Sequence, residues 1–329
     1  MEETSVETLP PPPGVINSIK AGFDAIASHI TAIFLPLLLN LFLWLGPRLR
    51  MVEMFESIKG DLVSIWQVGG IPSEDIGRML DWYEKAIPNL NLFWLFRTFP
   101  IGISSLLLPK GTLATPLGGP IDWQVNGLNL PLWFIFSVLF GWIGGALYFR
   151  NVASAALTNK VTPIRWSRAL AQTAMLSTIF NMLIIAVSMP LMFVILISIQ
   201  INVVLGNLVV LVLALASVWV IVPLFFWAHG VFLRQQNVLT SILSSVQLTR
   251  FTLPTSSIFI MTVFLLSYGL NFLWSIPSED SWMTLVGIFG HSFVTTALLA
   301  ASFIYYHEMS DWLQRVLERI RSKKVVKQA

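Results

Sequence analysis

The amino-acid sequence predicts an all-α integral membrane protein with six transmembrane helices. Of its 329 residues, 55% are hydrophobic and 11% are charged, whereas a soluble domain carries roughly 25% charged residues. The mean hydropathy is +0.75. Thirteen tryptophans suit a chain with many lipid–water boundaries, where the amphipathic indole is favoured. The net charge is +3, but the basic residues are scattered beside apolar segments, which points to lipid headgroups rather than nucleic acid.

Six segments have the length and composition of membrane spans, which need about 20 mostly apolar residues. None of them contains Asp, Glu, Lys or Arg, and they cover residues 28–46, 131–149, 172–198, 203–230, 255–275 and 283–305. A seventh apolar stretch, 91–109, is interrupted by Arg97 and Pro100. We therefore predict that 91–109 is interfacial or re-entrant rather than a span.

Basic residues in the short connections predict the orientation. The connections 150–171 and 231–254 contain Arg or Lys and no acid. The connection "SIPSEDSW" contains the acids Glu279 and Asp280 and no basic residue. Since Lys and Arg are retained on the cytoplasmic side, both termini are predicted to be cytoplasmic, in the inner or plasma membrane. Arg48 and Arg50 then lie outside, in a loop too long for its charges to set the topology.

This scheme divides the chain into five regions. The start, 1–14, is acidic and Pro-rich without the pattern of a signal peptide, and is predicted to be a disordered tail. Residues 15–46 form an amphipathic helix and span 1, and 131–306 hold spans 2–6 with amphipathic cytoplasmic connections. Residues 307–329 form a basic cytoplasmic tail helix. Between them, 47–130 is predicted to be a helical extracytoplasmic cap, in which Ser73 caps a helix.

The cytoplasmic segments before spans 1 and 5 share a pattern. An apolar stripe lines each helix, formed by Ile16, Ile19, Phe23, Ile26 and Ile30 in the first and by Val238, Leu239, Ile242, Leu243 and Val246 in the second. The stretch "SIKAGFDAI…LPLLLNLFLWLGP" also echoes "SILSSVQLT…LSYGLNFLWSIP". We infer three units of amphipathic helix plus hairpin; chance recurrence in a six-span protein is the alternative.

A few polar residues lie inside the predicted spans. They are Asn40, Asn181, Asn207, Asn271 and His291. Hydrogen bonds between helices by such side chains are worth about 0.6–2 kcal/mol each, so a packing role is favoured over a substrate-binding role. Asn40 and Asn271 occupy matching points of the proposed repeat. Because no span carries an ionised residue, and ion-coupled carriers generally need one, the sequence argues against a proton-driven or ion-coupled carrier.

Two further features predict contacts with other helices and with lipid. Gly141 and Gly145 have the spacing that allows two backbones to approach closely, and the expected partner is another span or a second protomer. The basic tail is predicted to lie on anionic lipid, through residues that include Arg315, Arg319, Lys323 and Lys324.

No enzyme motif is present. The chain has no cysteine, its histidines lack the spacing of metal ligands, and no cofactor-binding motif occurs. The acids Asp75, Asp81, Glu84 and Asp122 lie in the outer loop, where solvated helix faces explain them better than an acid/base site does.

The last third of the chain resembles a known group of proteins. The stretches "NVLTSILSSVQLTRFTLPTSSIFIMTVFLLSYGL" and "TTALLAASFIYYHEMSDWLQ" are similar to six-span bacterial membrane proteins that include the membrane domain of some glycerophosphodiester phosphodiesterases. The resemblance implies an architecture and a lipid-facing habitat, but no reaction, because a separate soluble barrel performs the hydrolysis in that family. The outer insertion and His307-Glu308 depart from the family pattern.

The sequence favours a non-enzymatic membrane protein that organises membrane partners or handles lipid. The alternative is a permease-type transporter subunit energised by a separate ATPase. A membrane enzyme that acts through the outer acids is the least favoured.

Overall fold

A computed structural model describes residues 11–107, 114–158 and 160–328, with side chains described as far as Ile320. Its long apolar helices and near-absence of sheet confirm the all-α membrane fold. Five helices are long and apolar enough to cross a membrane, and a sixth span results if the broken pair Val15–Ser28 and Ile30–Leu45 is counted as one. Of the predicted disordered tail, residues 1–10 lie outside the described part, and 11–14 have no regular structure.

The described chain contains ten α-helices, three short 3₁₀ helices (Ile30–Ile33, Ile87–Asn89 and Leu92–Phe96) and two short strands. The helices are α1 (Val15–Ser28), α2 (Phe34–Leu45), α3 (Val52–Val68), α4 (Ser73–Ala86), α5 (Leu130–Ala156), α6 (Trp166–Ile201), α7 (Val203–Phe225), α8 (Trp227–Arg234), α9 (Val238–Trp274) and α10 (Met283–Gln328). Strands β1 (Arg48–Arg50) and β2 (Asp122–Gln124) pair in parallel, with Leu49 opposite Trp123. They tie the two ends of the outer insertion together.

Two compact units make up the fold. Unit 1 contains the described residues up to Ile30, then Phe149–Ser267, and the chain from Thr296 onward; unit 2 contains Thr31–Tyr148 and Tyr268–Thr295. The boundaries fall within α5, α9 and α10.

In unit 1, α1 packs through two small residues and through one residue of its apolar stripe. Ser18, Gly22 and Ile26 are buried, and a Cβ added to Gly22 would lie 2.5 Å from the backbone of Ala297. Ile16 is 80% exposed. Close backbone approach requires small residues, and of the predicted apolar stripe Ile26 is buried, Ile19 and Phe23 are half-buried, and Ile16 and Ile30 are exposed.

The first part of α9 follows the same arrangement. Ser241 and Ser245 are fully buried, whereas Leu239 and Leu243 are 60% and 70% exposed. The buried serines bond to carbonyls on either side of the junction between α7 and α8. Ser245 donates to the carbonyl of Pro223, and Ser241 donates to that of Trp227 at 2.6 Å.

That junction interrupts the predicted span 203–230. Phe226 has non-helical backbone angles and separates α7 from α8. Pro223 lies just before it and has no N–H to donate within the helix. A hydropathy window does not register this kind of break, because the residues on both sides of it are apolar.

In unit 2, α3 and α4 form the predicted helical cap. Phe55 and Trp66 of α3 both stack on Tyr83 of α4, with ring centroids 5.8 and 6.1 Å apart. The prediction that Ser73 caps α4 is wrong by one position. Pro72 is extended and precedes the helix, and Ser73 is its first residue.

Candidate functional site

The candidate site is built on residues 91–107, here called the inserted segment. A 3₁₀ turn, Leu92–Phe96, opens it. The side-chain oxygen of Asn91 fixes the entry, because it accepts hydrogen bonds from the backbone N–H of Phe93 at 3.1 Å and of Leu49 at 3.0 Å. Beyond this turn, the described part of the segment is not helical. The last two residues of the stretch 91–109, which was predicted to be interfacial or re-entrant, lie outside the described residues.

The inserted segment packs against the glycines of α5. A Cβ added to Gly141 would lie 2.6 Å from Cγ2 of Thr98, and one added to Gly145 would lie 2.6 Å from the carbonyl oxygen of Ile101. Real Cβ atoms do not approach this closely, so both positions require glycine. In this chain, therefore, the structural element that contacts the two glycines is the inserted segment rather than another span. Their spacing predicted a close approach, but it carried no information about the partner.

Asn40 holds the returning part of the inserted segment. Its Oδ1 accepts from the backbone N–H of Leu106 at 2.9 Å, and its Nδ2 donates to the carbonyls of Pro36 at 2.8 Å and Ser104 at 3.4 Å. The side chain is fully buried. These contacts satisfy the amide through the backbone, which supports the packing role for Asn40.

Asn271 and His291 form a second polar pair in unit 2. Nδ1 of His291 and Oδ1 of Asn271 are 2.6 Å apart, and His291 is fully buried. Gly287 and Gly290 leave room for Trp274, whose backbone or ring would lie within 3 Å of a Cβ at either position. Close packing between α9 and α10 thus positions the histidine against the asparagine.

These contacts place the inserted segment beside two apolar helices, beyond the first turn of each. Gly141 lies eleven residues after Leu130, where α5 begins, about 16 Å along the axis at 1.5 Å per residue. On α10, a Cβ added to Gly287 would lie 3.4 Å from Leu106 of the inserted segment, four residues after Met283, where α10 begins, or about 6 Å along the axis. The apolar core of a bilayer is about 30 Å thick. If α5 and α10 cross the membrane, the inserted segment is re-entrant.

Arg97 lies on this inserted segment. Its guanidinium carbon is 5.1 Å from the centroid of the Trp94 ring, within range of a cation–π interaction. The Arg97 side chain is half-buried by the protein, and its Nε is buried without a hydrogen-bond partner among the described residues. If α5 crosses the membrane, the inserted segment brings a cation to the depth of the spans, although the spans themselves carry no charged residue.

An apolar groove of about 630 Å³ lies on the α2 and α5 side of the inserted segment. Its fourteen lining residues are apolar, aromatic or glycine, and they are Leu35, Leu38, Leu39, Phe42, Phe93, Phe96, Ile103, Trp123, Trp133, Phe136, Phe140, Ile143, Gly144 and Leu147. Leu38, Phe136 and Phe140 remain about half exposed, at 51%, 47% and 49%. The groove is therefore open along helices that have the composition of membrane spans.

The other polar candidates belong to unit 1 and have different surroundings. Asn181 lies on an exposed part of α6, and its Nδ2 donates to the carbonyl of Ser177 in its own helix at 2.8 Å. Asn207 is also exposed. Asn40, Asn271 and His291 thus belong to one unit with the inserted segment, and Asn181 does not.

The acids of the outer loop do not form a cluster. Asp75 pairs with Arg78 at 2.9 Å, Glu84 pairs with Lys59, and Asp122 pairs with Arg50 at 3.2 Å. Asp81 is exposed. Each paired carboxylate faces a base rather than a second acid, which supports the interpretation of these residues as solvated faces and structural ion pairs.

The basic tail continues α10. Nε of Arg315 donates to the carbonyl of Asp311 at 3.3 Å on an exposed surface. The side chains of Lys323 and Lys324 lie outside the described residues. Contact of these four basic residues with anionic lipid stays a prediction.

Comparisons with protein-family models, with curated proteins and with solved structures give no match to this chain. The resemblance of its last third to the phosphodiesterase membrane domain therefore also stays a prediction.

Proposed function

We propose that this chain is a non-enzymatic polytopic membrane protein that handles lipid by holding an acyl chain in the apolar groove of unit 2. The groove is the observation that carries the proposal. Ligand pockets typically measure about 300–1,000 Å³, and the described lining of this one offers no charged group to a ligand. Its walls fit a hydrocarbon chain better than a polar solute.

The selectivity of such a groove must come from shape rather than from hydrophobicity. Lipid tails are as apolar as leucine, so moving an acyl chain from the bilayer into the groove gains little solvation energy. Rigid aromatic walls provide the alternative, because they order the chain and keep it in van der Waals contact. Phe96 and Phe140 are packed with ring centroids 4.8 Å apart, and Phe93 and Trp133 with centroids 5.9 Å apart.

A photoreactive phospholipid with its reactive group on the acyl chain tests this proposal. With the full chain in lipid nanodiscs, we expect crosslinks concentrated in α2, α5 and the inserted segment. Gly144→Phe fills the groove, since a Cβ there already lies 3.5 Å from Ile103, and should reduce crosslinking to groove residues roughly tenfold, a loss of about 1.4 kcal/mol.

Leu139→Phe is the matched control, because Leu139 lies on the same helix, is 48% exposed and does not line the groove. It should leave the groove crosslinks unchanged. An even distribution of crosslinks over all exposed helices, or an equal loss in both variants, would contradict a lipid site.

The second candidate, a permease subunit driven by a separate ATPase, is supported by the inserted segment. Non-helical backbone at membrane depth is tolerated only where protein buries it or where it lines a cavity, and broken elements of this kind form the sites of many transporters. Purification in mild detergent distinguishes the two candidates. A soluble ATPase that co-purifies in stoichiometric amounts favours the permease.

The proposal includes the orientation with both termini in the cytoplasm of the inner or plasma membrane. Its support is the distribution of basic residues between short connections. Partner proteins, if the chain organises any, would contact the cap or the cytoplasmic helices.

A further inference from the structure

The four arginines of unit 2 within the described residues differ in their charge balance. Arg50 bonds to Asp122, Arg78 pairs with Glu74 and Asp75, and Asp122 and Glu279 act electrostatically on Arg48. Arg97 has no ion pair with any acid in the part of the chain that the structure describes, and its Nε is buried there without a hydrogen-bond partner. It is the one arginine of this set without a balancing carboxylate.

The surroundings of Arg97 make this imbalance costly. Its neighbours in the segment, Phe96 and Thr98, contact Gly141 in the middle of α5, so water and bulk counterions are distant if α5 spans the bilayer. The protein itself leaves Arg97 half-buried, so the bilayer would complete its removal from water. A charge removed from water is stabilised when it is paired, hydrogen-bonded or bound to a ligand. Ionisable residues at membrane depth therefore mark functional sites by default.

The position of the guanidinium is also restricted. Trp94 lies under it, three residues earlier in the same turn. Asn91 fixes the start of that turn and Gly141 its far side. These contacts hold the backbone on both sides of Arg97, and the Trp94 ring is the described contact of its guanidinium.

We propose that Arg97 is the anchor of an oxyanion-binding site at membrane depth in unit 2. A guanidinium binds phosphate and carboxylate groups through two parallel hydrogen bonds, which an ammonium cannot do. The oxyanion has two sources, the phosphate of a phospholipid headgroup and a free anion that enters from water. The site is independent of the apolar groove, so either can fail without the other.

The first experiment measures thermal unfolding of the detergent-solubilised, lipid-depleted protein against increasing inorganic phosphate. At saturating phosphate we expect wild type to unfold about 2–4 °C higher. Arg97→Gln should lose this rise, and Arg97→Lys should lose most of it because the fork geometry is gone. Arg78→Gln removes an exposed arginine of the same unit and should behave as wild type.

The second experiment counts phospholipids bound to the purified, undepleted protein by native mass spectrometry. If the natural ligand is a headgroup, Arg97→Gln should lose one bound phospholipid relative to both wild type and Arg78→Gln. If the ligand is a free anion, the lipid count is unchanged while the phosphate-induced rise disappears. Either result supports the site and identifies its source.

The unfolding temperature without phosphate separates a binding role from a structural one. If Arg97 anchors an anion, the depleted Arg97→Gln protein should be at least as stable as wild type, because an unbalanced cation has been removed. Wild type that gains no stability from phosphate and retains no more phospholipid than Arg97→Gln overturns the proposal. So does an Arg97→Gln protein that still responds to phosphate as wild type does.

Discussion

Oδ1 of Asn40 accepts a hydrogen bond from the backbone N–H of Leu106 at 2.9 Å, across 66 positions of sequence. This bond joins the end of the inserted segment to α2. An amide that satisfies non-helical backbone is valuable in an apolar environment, because each unsatisfied backbone group there costs several kcal/mol.

Asn40→Ala should therefore destabilise the protein more than the loss of one ordinary side chain. It removes the acceptor of Leu106 and the donor to Ser104 together, and we expect a loss of about 1–3 kcal/mol in the free energy of unfolding. Denaturant titration in mixed micelles measures it. Asn181→Ala is the matched control, because its donated bond stays within its own helix, and should cost less than about 0.5 kcal/mol. Equal losses would contradict the anchoring role of Asn40.

The glycines of α5 provide a second test. Gly145→Ala places a methyl group 2.6 Å from the carbonyl oxygen of Ile101 and should cost about 1–3 kcal/mol through overpacking. Gly144→Ala meets only Ile103 at 3.5 Å, an ordinary contact. It should gain up to about 1 kcal/mol from helix propensity. Thermal unfolding of the two variants side by side decides whether contact with the inserted segment sets the requirement for glycine.

Ser241 and Ser245 of α9 should each contribute measurably to the free energy of unfolding. Ser241→Ala and Ser245→Ala each remove a donor to a carbonyl near the α7–α8 junction, and each should cost about 1–2 kcal/mol. Ser244 lies between these two serines in the sequence and is half-buried. Ser244→Ala is therefore the control for losing a hydroxyl of α9 away from the junction. Its cost should be near zero, and a loss equal to those of its neighbours would argue against the junction as the cause.

The absence of cysteine from the chain permits a direct test of orientation. A cysteine at exposed Trp82 should react in intact cells with a maleimide that cannot cross the membrane. One at exposed Gln314 in α10 should react only after the cells are opened. The reverse pattern would invert the proposed topology and with it the assignment of the cap to the outer face.

The sequence and the structure agree best where long-range contacts matter least. Apolar runs of sufficient length identified α5, α6, α7, α9 and α10, because the cost of exposing backbone to lipid makes a helix the only choice there. The amphipathic cap helices were recognisable for a similar local reason. The break at Phe226 was not predicted. The carbonyls beside it accept hydrogen bonds from Ser241 and Ser245 of α9, and this contact between helices cannot be seen in the local sequence.

The candidate site was only partly predictable. Asn40, Asn271 and His291 stood out as polar residues within apolar runs, but their actual partners lie far away in sequence. Arg97 was recognised only as an interruption that excluded a span. An arginine within an otherwise apolar stretch was a usable signal, because it indicates a segment that enters the protein interior without forming a lipid-facing helix.

Composition and hydropathy alone established the membrane class and the all-helical fold, since burying hydrocarbon in lipid depends on what a segment contains and not on its neighbours. Only tertiary packing decided which segment the glycines of α5 contact, which carbonyls the serines of α9 bond to, and which side chains surround Arg97. Those contacts depend on shape and on hydrogen-bond geometry between residues distant in the chain. Neither can be read from the local sequence, because it does not show which distant residues meet.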